Sequence, residues 1–310
     1  VVGSETFPRE IGTLWPIVQA NAHVIGDFTW TGFDYLGEAG IGKADYTEPG
    51  AQPDPNAGAS HVSAYPWRLA NDSDFDICGF ERPQLHYRRI VWDSGETFIA
   101  ARDPQNYGKT EHVSRWGWPV CEHHWNWEGR EGKKTEVDVY SAAEEVELLL
   151  NGVSLGKKCA GEENRFIAKF ELTYEPGTLT AVSYSGGKEV SRDELKTVGK
   201  PVALKLSADK TAIAANGQSL AFVVAELVDE NGARVPSAEL LCSAMVSGAG
   251  SLAAFGIAKP ATTENYCSGS FTSHEGRVMA IVRGGWEKGE ITVEIGAEGL
   301  QPALLKIDVQ

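Results

Sequence analysis

The feature that most restricts the fold is the texture that begins after Gly129: short strand-forming runs punctuated by glycine turns. Val137-Asp138-Val139-Tyr140 alternates, and Val146-Glu147-Leu148-Leu149-Leu150 is a strand with a mixed face. Asn151-Gly152 supplies a two-residue type I′ hairpin turn before Val153-Ser154-Leu155. The stretches 166–172 and 178–184 and the turn Gly186-Gly187 continue the pattern. Strands of roughly five to seven residues at about ten-residue spacing predict a β-sandwich. A second sandwich follows the linker Val198-Gly199-Lys200-Pro201, with strands expected over 203–207, 220–228, 278–283 and 290–295 and a turn at Asn231-Gly232. Such modules serve as spacers or binding domains.

The opening segment reads differently. Val1-Val2-Gly3 has the character of a short buried strand that delivers Ser4-Glu5-Thr6 at its carboxyl end. Pro8 to Asn21 reads as a helix with Ile11, Leu14, Trp15 and Val18 on one face. A second strand over 24–30 ends in Trp30-Thr31-Gly32-Phe33-Asp34. Strand, helix and strand with polar clusters at both strand ends describe a βαβ unit. In a (β/α)8 barrel, active sites sit at those strand ends.

Aromatic usage divides the chain the same way. Eight of the nine Trp and six of the seven His lie in the first 127 residues. Flat aromatic faces suit sugar rings, whereas the plainer reading is that Trp packs cores. The charge excludes other partners: Lys and Arg number 28 against 43 Asp and Glu, a net −15 with no basic cluster. Nucleic acid and anionic membrane surfaces are therefore not expected partners. No apolar run approaches the ~18 residues of a membrane span. Five scattered cysteines, an odd number in a long chain, read as free thiols, a weak pointer to a cytoplasmic or anaerobic setting. The start lacks Met and a signal-like apolar stretch, so either a leader has been removed or the chain begins inside a larger protein. Localisation stays undetermined.

Several chemical candidates can be weighed on their residues. Cys121-Glu122-His123-His124 fits no zinc spacing, since strand neighbours point to opposite faces and no second pair follows. Gly152–Lys157 is one residue short of a phosphate loop and falls in a hairpin. No Gly-x-Ser-x-Gly elbow is present. Neither a metal nor a cofactor is expected. Glu5, at a strand end between small residues, could attack an anomeric carbon, or it could be an ordinary loop glutamate. A retaining glycosidase needs a second carboxyl about 5–5.5 Å away. Asp27, Asp34, Glu38 and Asp76 are the local carboxylates, and spacing alone places none of them opposite Glu5.

The combination of motifs is more specific than any single one. Val2-Gly3-Ser4-Glu5-Thr6, about twenty residues before Ile25-Gly26-Asp27-Phe28-Thr29-Trp30-Thr31-Gly32-Phe33-Asp34-Tyr35-Leu36-Gly37-Glu38, resembles the seventh and eighth barrel strands of glycoside hydrolase family 2. Tyr65-Pro66-Trp67, Asp74–Phe80, Arg82-Pro83-Gln84 and His124-Trp125-Asn126-Trp127-Glu128-Gly129 resemble its β-galactosidase branch with extra C-terminal sandwiches. The resemblance implies a mostly β chain: a remnant of the (β/α)8 barrel (its last two β/α units) over residues 1–122, then two immunoglobulin-like β-sandwich domains over 123–199 and 200–310. Carried over by position, Glu5 matches the nucleophile and Trp30 the wall of the sugar subsite. Asp34 and Asp76 fall in segments that border that subsite as substrate-binding residues. The implied partner is a β-galactoside or a related neutral glycoside, and a homo-oligomer is compatible with it. The acid/base glutamate of the family lies on the fourth barrel strand, N-terminal to this sequence. The expectation is therefore a retaining β-galactosidase fragment that is inactive alone. The alternative is a noncatalytic carbohydrate-binding or spacer protein of tandem sandwiches.

Overall fold

The computed structural model describes residues 1–51 and 63–310 of the chain. It divides into two compact units, Val1–Thr197 and Val198–Gln310.

The first unit opens with β1 (Gly3–Thr6), α1 (Ile11–Ala20) and β2 (Asp27–Thr29), and β1 and β2 pair in parallel. The expected βαβ unit is present, with the first strand displaced toward Thr6 and the second shortened. Val1 and Val2 lie outside β1 and are exposed, 82% and 40%. An apolar run reads as a buried parallel strand because such strands are normally covered on both faces. Among the described residues this sheet has two strands, and within β1 only Thr6 is buried.

After β3 (Ala44–Thr47) comes α2 (Pro83–Val91), which starts at a proline, where the missing N–H removes no helical bond. Then follow β4 (Thr97–Ala101) and β5 (Thr110–Val113), the latter paired with β3. The sandwich adds β6 (Lys134–Ser141), β7 (Glu145–Leu150), β8 (Val153–Cys159), β9 (Ile167–Thr173), β10 (Thr178–Ser185) and β11 (Lys188–Lys196). One sheet runs β4-β6-β9 and the other β11-β10-β7-β8. Both hairpin turns expected from sequence are seen. Asn151 and Gly152 have φ of 53° and 79°, and Gly186 and Gly187 have 56° and 72°. Each pair joins strands in two-residue register, Leu150 opposite Val153 and Ser185 opposite Lys188.

The strand β4 carries no alternation, and the sequence reading placed no strand there. All five of its residues are buried. Ile99 and Ala101 point into the sandwich with Trp125, Trp127, Val139 and Leu179. Phe98 and Ala100 point the other way, into a second core with Ile90, Tyr87 and Trp118. The His86 ring of α2 stacks on Phe98 at 4.1 Å. A strand buried on both faces needs apolar residues at every position, which erases the period of two. The sheet β4-β6-β9 is thus the middle layer between α2 and the second sheet.

Burial also sorts the tryptophans. Trp118, Trp125 and Trp127 are core residues, and the plainer packing role is the one they fill. Trp125 additionally donates its indole N–H to the Glu175 carbonyl (2.8 Å), which satisfies the polar end of a fully buried ring.

The second unit is a sandwich of β12 (Ala203–Ala208), β13 (Ala212–Ile213), β14 (Leu220–Val228), β15 (Leu241–Gly248), β16 (Gly250–Gly256), β17 (Ser270–Thr272), β18 (Arg277–Gly284), β19 (Gly289–Ala297) and β20 (Ala303–Val309). Its sheets run β12-β14-β18-β16 and β13-β20-β19-β15-β17. The four strands read from sequence are there. The strands β15 and β16, rich in Ser, Ala and Gly, gave no apolar signal in isolation. At Asn231-Gly232 the chain makes a wider loop, closed by Asp229, whose carboxylate accepts from the Gly199, Asn231 and Ala233 amides. Three charge-assisted bonds to backbone N–H groups hold that carboxyl below the ordinary range.

All five thiols are free. No helix among the described residues is long and apolar enough to cross a membrane. Because Trp125 is wholly enclosed, Trp125→Ala should cost about 3–5 kcal/mol, the range for emptying a buried aromatic site. The check is a urea unfolding midpoint, with Val153→Ala, on an exposed hairpin, as a near-neutral control.

Candidate active site

The site builds from the ends of β1 and β2. Along β1 alternate residues face opposite ways, so Thr6 is buried while Glu5 is exposed. The Trp30 amide donates to the Thr6 carbonyl (3.2 Å), which brings the end of β2 beside the residue that follows Glu5. Trp30 is 39% exposed, its peptide bond to Thr31 is cis, and its ring meets Tyr35 edge-on at 6.4 Å.

A partner for Glu5 comes from far along the chain. The Trp116 indole N–H donates to Glu5 Oε1 at 2.8 Å. The segment carrying Trp116 is itself docked on the start of α1's lead-in: Trp116 packs edge-on against Phe7 (5.0 Å), Arg115 lies over the Phe7 ring (4.4 Å), and Arg9 donates to the Ser114 carbonyl (2.9 Å). A hydrogen bond to an ionised acceptor is shorter and stronger than a neutral one, and here it fixes one carboxylate oxygen of an exposed side chain. Sequence reasoning missed Trp116. Its place in a Trp-rich stretch was the only signal, and the contact spans 111 positions.

Asp34 and Asp76 are placed in different surroundings. Asp34 is buried, and Oδ1 accepts from the Asp72 and Ser73 amides (3.0 Å each) and the Ser73 hydroxyl (2.5 Å). Its Oδ2 accepts from Arg82 Nη1 at 2.7 Å. Both oxygens are therefore engaged with protein donors. Asp76 is half-buried, and its Oδ1 accepts from the Cys78 and Phe80 amides (2.8 and 3.0 Å), closing the turn at Gly79. Glu38 takes the Tyr35 hydroxyl, and burial together with Glu38 pushes the Tyr35 phenol up. Asp27 stands opposite Gly3, at the end of β1 away from Glu5. Of the four local carboxylates, two are thus occupied in shaping loops and one lies at the wrong end of the strand.

Beneath this loop is a second pair. Arg88 of α2, 2% exposed, contacts both oxygens of Asp74 (2.8 and 3.3 Å) and donates to the Thr29 hydroxyl on β2 (2.5 Å). Arg82 at the N-cap of α2 and Arg88 in its last turn are six residues apart, and between them they hold the 31–36 and 72–76 segments. Among the described residues, no group of three or more His, Cys, Asp and Glu converges as a metal site.

Asp72 is the exception in this network. It is fully buried, and neither carboxylate oxygen has a hydrogen-bond partner among the described residues. Burial, reinforced by the negative charge of Asp34, pushes its carboxyl up to about 7.

Comparison with known proteins gives the class. The family model described as glycoside hydrolase family 2 C-terminal domain 5 matches residues 204–306, and that of a domain of unknown function (DUF4982) matches residues 132–191. A β-galactosidase, BoGH2A, of Bacteroides ovatus is 27% identical over 95% of this chain and 29% of its own length. A putative β-glucuronidase of Formosa agariphila is 29% identical over 73% of this chain and 18% of its own. Among solved structures, a glycosyl hydrolase family 2 member from Bacteroides cellulosilyticus is 35% identical with a TM-score of 0.88, over 100% of this chain and 39% of that one. The chain matches a C-terminal portion of glycoside hydrolase family 2 proteins. It spans well under half the length of these relatives.

Two predictions follow from the polar network. Asp34→Ala leaves the Arg82 guanidinium and two amides without their acceptor and should destabilise the first unit by about 3 kcal/mol or more, read as a fall in melting temperature. For Asp72 the folded state keeps its proton up to about pH 7, whereas the unfolded chain releases it near 3.8. Between those values the native state binds more protons, so stability falls as pH rises and the penalty is complete above pH 7. Asp72→Asn should therefore gain stability over the parent as pH rises from 4 to 7, by a few kcal/mol in order of magnitude, and denaturant titrations at those two pH values measure it.

Proposed function

We propose that this chain is the nucleophile-bearing portion of a retaining β-galactosidase. The observation that carries the reading is Glu5, exposed at the end of a parallel strand, with Trp116 holding one oxygen and Trp30 presented by the neighbouring strand end. The match of residues 204–306 to the glycoside hydrolase family 2 C-terminal domain 5 model supports the same family context.

In the proposed reaction Glu5 Oε2 attacks the anomeric carbon as the glycosidic C–O bond breaks. A general acid delivers a proton to the departing oxygen. Water then cleaves the glycosyl–Glu5 ester, losing its proton to the same group acting as base and returning the carboxylate. Trp30 walls the sugar by stacking on its C–H face. Asp34 acts on this subsite as a positioning residue, because it sets the 31–36 loop through Ser73 and Arg82. Asp76 borders the subsite through the 76–80 turn.

The acid/base carboxyl belongs, in this reading, to a barrel strand preceding Val1 in the longer protein, and residues 1–122 are the last two units of that barrel. Residues 123–199 and 200–310 are the accessory domains. A chain without a positioned acid/base loses on the order of 10²–10⁴-fold from that source alone, so the 310-residue chain by itself should be inactive.

A neutral sugar is favoured over a uronate by the charges of the 74–83 stretch. Its one cation, Arg82, is paired with Asp34 at 2.7 Å, and the Asp76 carboxylate would repel a sugar carboxylate. Nucleic acid and membrane surfaces are not partners in this reading, and a homo-oligomer is compatible with it.

The test is hydrolysis of p-nitrophenyl β-galactoside and p-nitrophenyl β-glucuronide. We expect no turnover by this chain. In the longer protein we expect the galactoside to be preferred and Glu5→Gln to lower kcat by about 10³-fold or more, the scale on which loss of a covalent nucleophile acts. Turnover by the isolated chain that Glu5→Gln abolishes would place the acid/base among its own carboxylates. A preference for the glucuronide would overturn the sugar assignment.

A further inference from the structure

The second unit has one tryptophan, Trp286, in the turn between β18 and β19, and it is 76% exposed. Exposing an indole to water is unfavourable, and nothing in the sandwich core requires it there. The ring is nevertheless seated. It lies over Gly217, where a Cβ would sit 2.5 Å from the indole, and that glycine has a φ of +68°. A side chain at 217 is excluded both by the space and by the backbone conformation.

The support beneath the ring is tied down by backbone bonds. The Gly217 amide donates to the Gly285 carbonyl (3.1 Å), and the Gly285 amide donates to the Ala249 carbonyl (2.8 Å). The Ala249 amide donates to the Glu290 carbonyl (3.0 Å), and the Gly284 amide to the Ser219 carbonyl (3.0 Å). The Asn216 side chain adds bonds to the Gln218 and Ser219 amides. Three turns are thus joined into one corner that carries a flat aromatic ring with an outer face open to solvent.

The surroundings of the ring decide what could cover it. Asn216, Gln218, Glu287 and Lys288 are all exposed around it. The unit's other exposed large apolar side chains are elsewhere. Met245 and Leu304 flank Glu294, midway along β19, and Val202 and Leu241 lie at the opposite end of the sheets. A protein interface needs an apolar core spread over several residues, within a surface of hundreds of Å². A single indole with a rim of amides and charges of both signs does not provide one. It matches the size and polarity of one pyranose ring, whose C–H face can stack while its hydroxyls reach the rim. The net charge of −15 disfavours polyanions as the ligand.

We propose that Trp286 is a carbohydrate-binding platform of the second unit, taking a pyranose ring within a neutral polysaccharide. This site is independent of Glu5 and Trp30 and does not rest on the hydrolase reading.

The experiment is native affinity electrophoresis of the full chain through gels containing soluble pectic galactan, galactomannan or xyloglucan. We expect at least one to retard the chain, Trp286→Ala to restore free mobility, Trp286→Phe to keep part of the retardation, and Trp30→Ala to leave it intact. An unchanged melting temperature for Trp286→Ala shows that lost binding is not lost folding. The proposal is overturned if no polysaccharide retards the chain, if Trp286→Ala leaves retardation unchanged, or if Trp30→Ala alone abolishes it. The last result would assign the binding to the candidate active site instead.

Discussion

Two buried arginine–carboxylate pairs organise the part of this protein that bears the candidate site. Arg82 with Asp34 and Arg88 with Asp74 join the loop after β2, the 72–76 segment and both ends of α2. An exposed ion pair contributes little, but removing one member of a buried, multiply hydrogen-bonded pair leaves an uncompensated charge. Once these pairs form, the loop has few other geometries that satisfy its donors. Trp30 is presented at one edge of that loop and Tyr35 and Glu38 at another.

The same network leaves the part of the chain around the candidate site polar inside and apolar outside. Asp34, Asp72, Ser73, Asp74 and Arg88 are buried, whereas Ile25, Phe28, Phe33 and Leu36 are exposed. That inversion is the reverse of an ordinary globular domain. The sandwich of the first unit shows the conventional order, with Trp125, Tyr174 and the inward residues of six of its seven strands enclosed. Between them, β4 serves both, since its odd-numbered side chains enter the sandwich and its even-numbered ones meet α2.

The sequence was informative wherever a local pattern was enough. The turns at Asn151-Gly152 and Gly186-Gly187 declared themselves because two consecutive positive φ values need such residues. The βαβ start and the candidacy of Glu5 and Trp30 were readable from strand ends and from resemblance. The strand β4 was not, because burial on both faces removes alternation. The strands β15 and β16 were not, because Ser, Ala and Gly carry no periodic signal until neighbouring strands supply it. Asp34 and Asp76 could be named as residues of the right segments, but not distinguished as one enclosed by four donors and one closing a turn.

By itself, then, the sequence determined the mostly β class, the glycine-turned hairpins, the acidic charge and the strand-end position of Glu5. These depend on residue type, order and short spacing, which the linear chain contains in full. Tertiary structure alone decided that Trp116, 111 positions from Glu5, donates to its carboxylate. It also decided which tryptophans are core and which are presented, and that the Asp72 carboxylate is buried without a hydrogen-bond partner among the described residues. Each of those facts is a meeting of residues distant along the chain, and no local pattern encodes the distance, burial or charge that such a meeting creates.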